Sequence, residues 1–326
     1  GADSVLGAPF ELADYLPGSV QPVLAGIGGA AALGAVTIGE GGGASFRPDT
    51  RSEGFYIIGL DAQRWVDIAG LLMFFGIIAG VSVHAMARYV ARRRQPQQRH
   101  PRRRIHMYDA YERIWHWLQA SAILLLLFTG LIIHKPHFFG MFSFAYVVQV
   151  HNVLGFIVLI NAALALFYTL ASGKIRRFLP DPDGFLGRAM EQAAFYTKGI
   201  FAGEAHPLEK TRENRLNPLQ QITYLAILNI LLPAQVVTGI LIWGMQKWPH
   251  LASALGGLPL LAPLHTFVAW AFATFIVMHV YLTTAAGETP LAGIKSMISG
   301  WEEVELPPGD PSLRSHTSTA EEPDHA

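Results

Sequence analysis

The sequence predicts an all-α membrane protein: a four-helix transmembrane bundle with one extra transmembrane helix on its N-terminal side. Three observations predict it. Of the 326 residues, 51% are hydrophobic and only 15% are charged, and the mean hydropathy is positive. The charges are segregated, which leaves several stretches long enough to cross a hydrocarbon core of roughly 30 Å, a task for about 20 apolar helical residues. Lys and Arg are also concentrated in alternate connections, the signature of a fixed orientation.

Five segments pass the spanning test. The first runs from about Val66 to Val90, the second from Ile114 to Ile133 and the third from about Tyr146 to Ala171. The fourth lies between Arg215 and Lys247, and the fifth between about Leu261 and Ala286. In lipid every backbone polar group must be satisfied within the segment, so each is read as a helix. Arg88 to Arg104 carries eight arginines and the loop from Lys174 to Arg215 eight Lys or Arg, whereas the opposite connections hold little beyond Lys135 and Lys247. The basic side is therefore expected in the cytoplasm of a bacterial inner membrane, with the N-terminus periplasmic and the C-terminus cytoplasmic. An external N-terminus agrees with a removed signal peptide; a trimmed chain would equally explain a start at Gly1.

The expected organisation follows. Residues 1–64 form an external segment and 65–91 the extra transmembrane helix. Residues 92–113 are a basic cytoplasmic linker, 114–287 the four-helix core and 288–326 a cytoplasmic tail, disordered in part. Leu16 to Gly39 is uncharged but rich in Gly, Ala and Pro, so it reads as an external surface segment, with a sixth span as the alternative.

Composition removes several kinds of chemistry. There is no cysteine, hence no disulfide, cysteine-ligated iron–sulfur cluster, thiolate nucleophile or covalent c-type haem. A formal net charge of zero gives no overall nucleic-acid footprint.

Thirteen histidines are present, and five fall within the spans: His84, His116, His151, His265 and His279. An ionisable group in the membrane is costly and tends to face the bundle interior. Taken singly, each could be a helix-packing hydrogen-bonder. Their arrangement says more. His265 and His279 are 14 residues apart on one span, which is about 21 Å along the axis and within roughly 40° of one face. Following each span's direction matches His116 in depth with His279, near the inner side, and His151 with His265, near the outer side. Two depth-matched pairs point to two bis-histidine haem b sites, because haem iron accepts two axial imidazoles. Zinc would favour four clustered ligands. Gly130 and Gly239, in the similar contexts Phe-Thr-Gly-Leu-Ile-Ile and Val-Thr-Gly-Ile-Leu-Ile, lie near the outer site. They would let a porphyrin approach the backbone, or serve close helix packing. Arg113 beside His116 is placed for haem propionates, or as an ordinary positive-inside anchor. His84 has no depth-matched partner and reads as a packing residue.

At these residues the chain resembles the gamma subunit of membrane-bound respiratory formate dehydrogenase, a dihaem cytochrome b related to hydrogenase b-type cytochromes. The matching pieces are Arg113-Ile-Trp-His116-Trp, Val150-His151-Asn-Val-Leu-Gly155-Phe, Asn217-Pro-Leu-Gln220, Leu264-His265 and Met278-His279-Val-Tyr281, within about Met107 to Glu302. The resemblance implies partners outside the membrane, an iron–sulfur subunit and a molybdenum- or tungsten-pterin catalytic subunit, and a higher oligomer of the complex is compatible with it. It also implies electrons passing through both haems to a quinone, menaquinone or ubiquinone, with Asn217, Gln220 and His279 at the quinone pocket. For Asn217, followed by Pro218, a helix-capping role is the alternative. The chain would be the electron-transfer and quinone-reducing subunit of an oxidoreductase, without the formate-oxidising site. Two rivals stand beside this reading: the same scaffold serving a hydrogenase or sulfur-compound reductase, and a haem-free transporter or passive anchor.

Overall fold

A computed structural model describes residues 63–94, 102–204 and most of 206–305, with two short strands, β1 (Val36–Ile38) and β2 (Ala44–Phe46), paired antiparallel. The rest of the expected external segment, including most of Leu16 to Gly39, part of the basic linker and the tail beyond residue 305 lie outside the described residues.

The described residues are mostly helical, and five helices among them are long and apolar enough to cross a membrane. They are α1 (Arg64–Arg94), α2 (Ala110–His134), α3 (Phe144–Ala171), α5 (Pro218–Gly244) and α6 (Gly257–Ala286). Between 11% and 22% of the most apolar stretch of each is buried within the chain. The outward faces are apolar instead, as Leu72, Phe75 and Val83 are on α1, and in a bilayer lipid satisfies such faces. A shorter helix, α4 (Phe185–Ala194), lies in the connection between α3 and α5.

The ends follow local rules. Arg92, Arg93 and Arg94 fill the last turn of α1, where cations favour the helix dipole. At the start of α5 the Asn217 side chain accepts from the Gln220 N–H at 2.9 Å, and the Gln220 side chain accepts from the Asn217 N–H at 3.1 Å. With Pro218 at the first helical position, this is a complete capping box. The helix then widens into a π turn at Ile227–Leu231, just before Pro233. Proline lacks an N–H and crowds the carbonyl four residues back, so a widened turn lets the span continue through it.

One pairing has no counterpart in the sequence reading. Strand β3 (Arg102–His106), within the basic linker, pairs antiparallel with β4 (Trp301–Glu305) at the start of the tail, and α7 (Ala292–Ser299) precedes β4. Arg104 stands opposite Glu303, so the ladder sets opposite charges across from each other there.

Residue contacts divide the chain into two compact units. The first comprises residues 1–69, 122–157 and 236–269, and the second 70–121, 158–235 and 270–326. In the first, Asp67 at the start of α1 accepts from His134 at 2.5 Å and from Lys135 at 2.6 Å, both at the end of α2. Phe156 meets Trp243 edge-on, and the Lys247 ammonium sits 3.8 Å over the Trp243 ring. In the second, the Trp270 ring lies so close to Gly70 that an added Cβ would be 2.3 Å from it. Glycine there is what lets α1 seat against α6.

Candidate functional site

In the first unit, His151 in the second turn of α3 faces His265 of α6, with ring centroids 6.3 Å apart. Each ring is held the same way. Thr129 Oγ1 lies 2.8 Å from His151 Nδ1, and Thr238 Oγ1 lies 2.9 Å from His265 Nδ1. Thr129 donates its own proton to the Leu125 carbonyl at 2.8 Å, so its oxygen receives the N–H of His151. With the hydroxyl proton on that carbonyl, the ring takes the tautomer in which Nδ1 carries the proton and Nε2 keeps its lone pair. The residue after each threonine is a glycine. A Cβ on Gly130 would meet His151 Cε1 at 3.4 Å, and one on Gly239 would meet His265 Cε1 at 3.2 Å. The close neighbour of each glycine within the chain is thus an imidazole edge. Neither Thr129 nor Thr238 was singled out from the sequence, although the repeated Thr-Gly pair in two similar contexts was a signal for both.

In the second unit, His116 of α2 and His279 of α6 are also 6.3 Å apart between centroids. Phe275 and Trp117 flank them, 5.4 Å from His279 and 5.2 Å from His116. Here His116 Nδ1 is buried without a hydrogen-bond partner among the described residues. One turn earlier on α2, Arg113 donates to the Ile298 carbonyl, and Trp117 donates to the Met297 carbonyl at 3.1 Å, at the end of α7. Arg113 is thereby tied to the tail, while its Nε stays buried and unpartnered. His84 is satisfied by the Tyr281 hydroxyl and, at 2.8 Å, by the Tyr196 carbonyl. Asn217 donates to the Tyr196 hydroxyl at 3.2 Å, a phenol whose pKa is pushed up by burial.

The start of α2 is fixed by charge. Glu112 accepts from both terminal nitrogens of Arg215, at 2.8 and 3.2 Å, and lies 3.4 Å from Lys174 and Arg177. Asp109 accepts from Lys174 and Arg212, each at 2.8 Å. The Lys174 hydrogen bond, against some desolvation, holds the Asp109 carboxyl below its ordinary range.

Both pairs fit haem. Iron needs about 2 Å to each ligating nitrogen, and about 1 Å more reaches the ring centre, so two axial imidazoles stand about 6 Å apart. Among the described residues no group of three or more His, Cys, Asp or Glu could hold a metal ion. Pairs of imidazoles suit an ion whose other four ligands come from a porphyrin.

A family model described as prokaryotic cytochrome b561 matches residues 107–300, more than half of the chain. The chain belongs to this family. Among curated proteins it is similar to a putative cytochrome, YdhU, of Escherichia coli strain K12, at 34% identity over 73% of this chain and 88% of that one. It is also similar to a probable Ni/Fe-hydrogenase B-type cytochrome subunit of Rhizobium leguminosarum bv. viciae, at 24% identity over 61% of this chain and 89% of that one. No solved structure gives a significant match. As a cytochrome b561-family member with five apolar helices, the chain is a multi-pass membrane b-type cytochrome with an electron-transfer role, and haem b is the family's cofactor.

Proposed function

We propose that the chain carries electrons across the bacterial inner membrane, from an external redox subunit to quinone on the basic, cytoplasmic side. It does so as the dihaem subunit of a respiratory oxidoreductase. The observation that carries this reading is the equal ring spacing, 6.3 Å, in two separate histidine pairs. His151 with His265 would hold the outer haem b, and His116 with His279 the inner one. Bound haem supplies a one-electron iron couple in a site whose ligands the protein fixes.

The chain's own residues do the rest. Thr129 orients the His151 imidazole, and Trp117 and Phe275 pack against the His116 and His279 rings. Arg113, with its Nε lacking a protein acceptor, would take a propionate. Asn217 and Gln220 would frame the quinone beside His279. Their oxygens are used in the cap, so they would serve as amide N–H donors to a quinone carbonyl.

For the electron donor, the Asn217-Pro-Leu-Gln220 element favours a formate dehydrogenase, with its iron–sulfur and molybdenum- or tungsten-pterin subunits outside the membrane. The similarity to a probable Ni/Fe-hydrogenase cytochrome subunit favours a hydrogenase as the second reading. Purification of the tagged chain from its native membrane, with mass spectrometry of the co-purifying subunits, decides between them. Reduced-minus-oxidised spectra of the same preparation after formate or hydrogen should show a b-type signal of about two haems per chain. Absence of that signal overturns the proposal.

A further inference from the structure

The two histidine pairs share a ring spacing but differ in what holds the far side of each ring. At the outer pair both Nδ1 atoms have a threonine hydroxyl, at 2.8 and 2.9 Å. At the inner pair His116 Nδ1 is buried and has no acceptor among the described residues. Both threonines are themselves buried, 7% and 4% exposed, so water does not compete for their hydroxyls.

We infer that Thr129 and Thr238 are positioning residues that lower the reduction potential of the outer haem, and the inference rests on the dihaem reading above. An imidazole that donates from Nδ1 becomes more electron-rich at Nε2, and such partners raise ligand basicity and set ring orientation. A more basic axial ligand stabilises ferric over ferrous iron, so second-shell hydrogen bonding moves the potential. Thr129 strengthens the effect, because its donation to the Leu125 carbonyl polarises the oxygen that receives the imidazole N–H. The glycines complete the device. A Cβ at Gly239 would stand 3.2 Å from His265 Cε1, so that ring would have to give by a few tenths of an ångström, while one at Gly130 would be in plain contact with His151 Cε1 at 3.4 Å. An outer site of lower potential than the inner one is the ordering that inward electron transfer needs.

The test replaces each threonine by valine, which keeps the shape and removes the hydroxyl, and by serine, which keeps the hydroxyl. The readouts are an optical redox titration of the haem α-band and the low-spin ferric electron paramagnetic resonance spectrum of the purified protein. Thr129→Val and Thr238→Val should each move one of the two titration waves to higher potential, the double variant further, with the other wave unmoved. The serine variants should titrate as the parent does. Loss of one haem in a valine variant with retention in the matching serine variant also supports the assignment. Two haems with unmoved waves in the valine variants overturn it, as do equal shifts of both waves or haem loss in the serine variants. A parent protein binding fewer than two haems would instead sink the dihaem reading beneath it.

Discussion

Glu112→Gln removes the carboxylate on which three basic side chains converge, one turn before His116 on α2. The Glu112 side chain is 18% exposed and Arg215 8%, so solvent screens their two-point contact weakly. Removing one partner of a buried pair costs about 3–5 kcal/mol, because the other charge is left uncompensated. Two features reduce that here. Glutamine keeps one acceptor oxygen, and Asp109 stays in the cluster with Lys174 and Arg212. The expected loss is therefore about 2–3 kcal/mol, and at about 2–4 °C per kcal/mol for a core of this size the midpoint should fall roughly 4–12 °C. Glu112 and His116 share a helical face, so the damage should appear first at the inner pair. The assay is haem absorbance and retention in detergent as temperature rises, with His151→Ala and His279→Ala proteins as references for each haem's spectrum. A midpoint within 1 °C of the parent (an assay threshold of about 0.3 kcal/mol), or simultaneous release of both haems, would refute the reasoning.

Three further outcomes are expected. His279→Ala should leave one b-type haem per chain, held by His151 and His265, and His265→Ala should leave the other; loss of both haems in either variant, measured as pyridine haemochrome, counts against independent sites. Gly70→Leu should drive α1 from the Trp270 ring, where even a Cβ would stand 2.3 Å away, and expose α1 to limited proteolysis while a b-type spectrum persists. Asn217→Ala should cost about 1 kcal/mol of stability from the lost cap, whereas Asn217→Asp keeps the cap and removes the amide donor; raised KM for quinone in the aspartate variant, at parental stability, is the expected result, and unchanged kinetics would assign Asn217 to capping alone.

The spans were legible because a membrane helix is announced by composition within about 20 residues. The histidine pairs were legible because two histidines share α6 at a spacing that any straight helix converts into depth. The cap on α5 could be read locally from Asn217, Pro218 and Gln220. What could not be read depends on partners distant in sequence. Thr129 meets His151 across a helix hairpin, and β3 meets β4 across nearly the whole core. Short charged stretches such as Arg102–His106 carry no alternating pattern by which a strand announces itself. Likewise the basic loop could be seen as charged, but not that Arg215 would return to Glu112.

The capping box at Asn217 narrows what a quinone site there can be. Both side-chain oxygens of the Asn217–Gln220 pair are already accepting backbone N–H groups, and one Asn217 amide proton goes to the Tyr196 hydroxyl. The amide protons left over are the donors that a quinone carbonyl proposed for this position would meet, and each cap oxygen keeps a second lone pair that a quinol hydroxyl could use. On the proposed reading one pair of amides would serve both roles: the cap fixes the geometry with the oxygens, and the quinone would use the nitrogens that the cap leaves over.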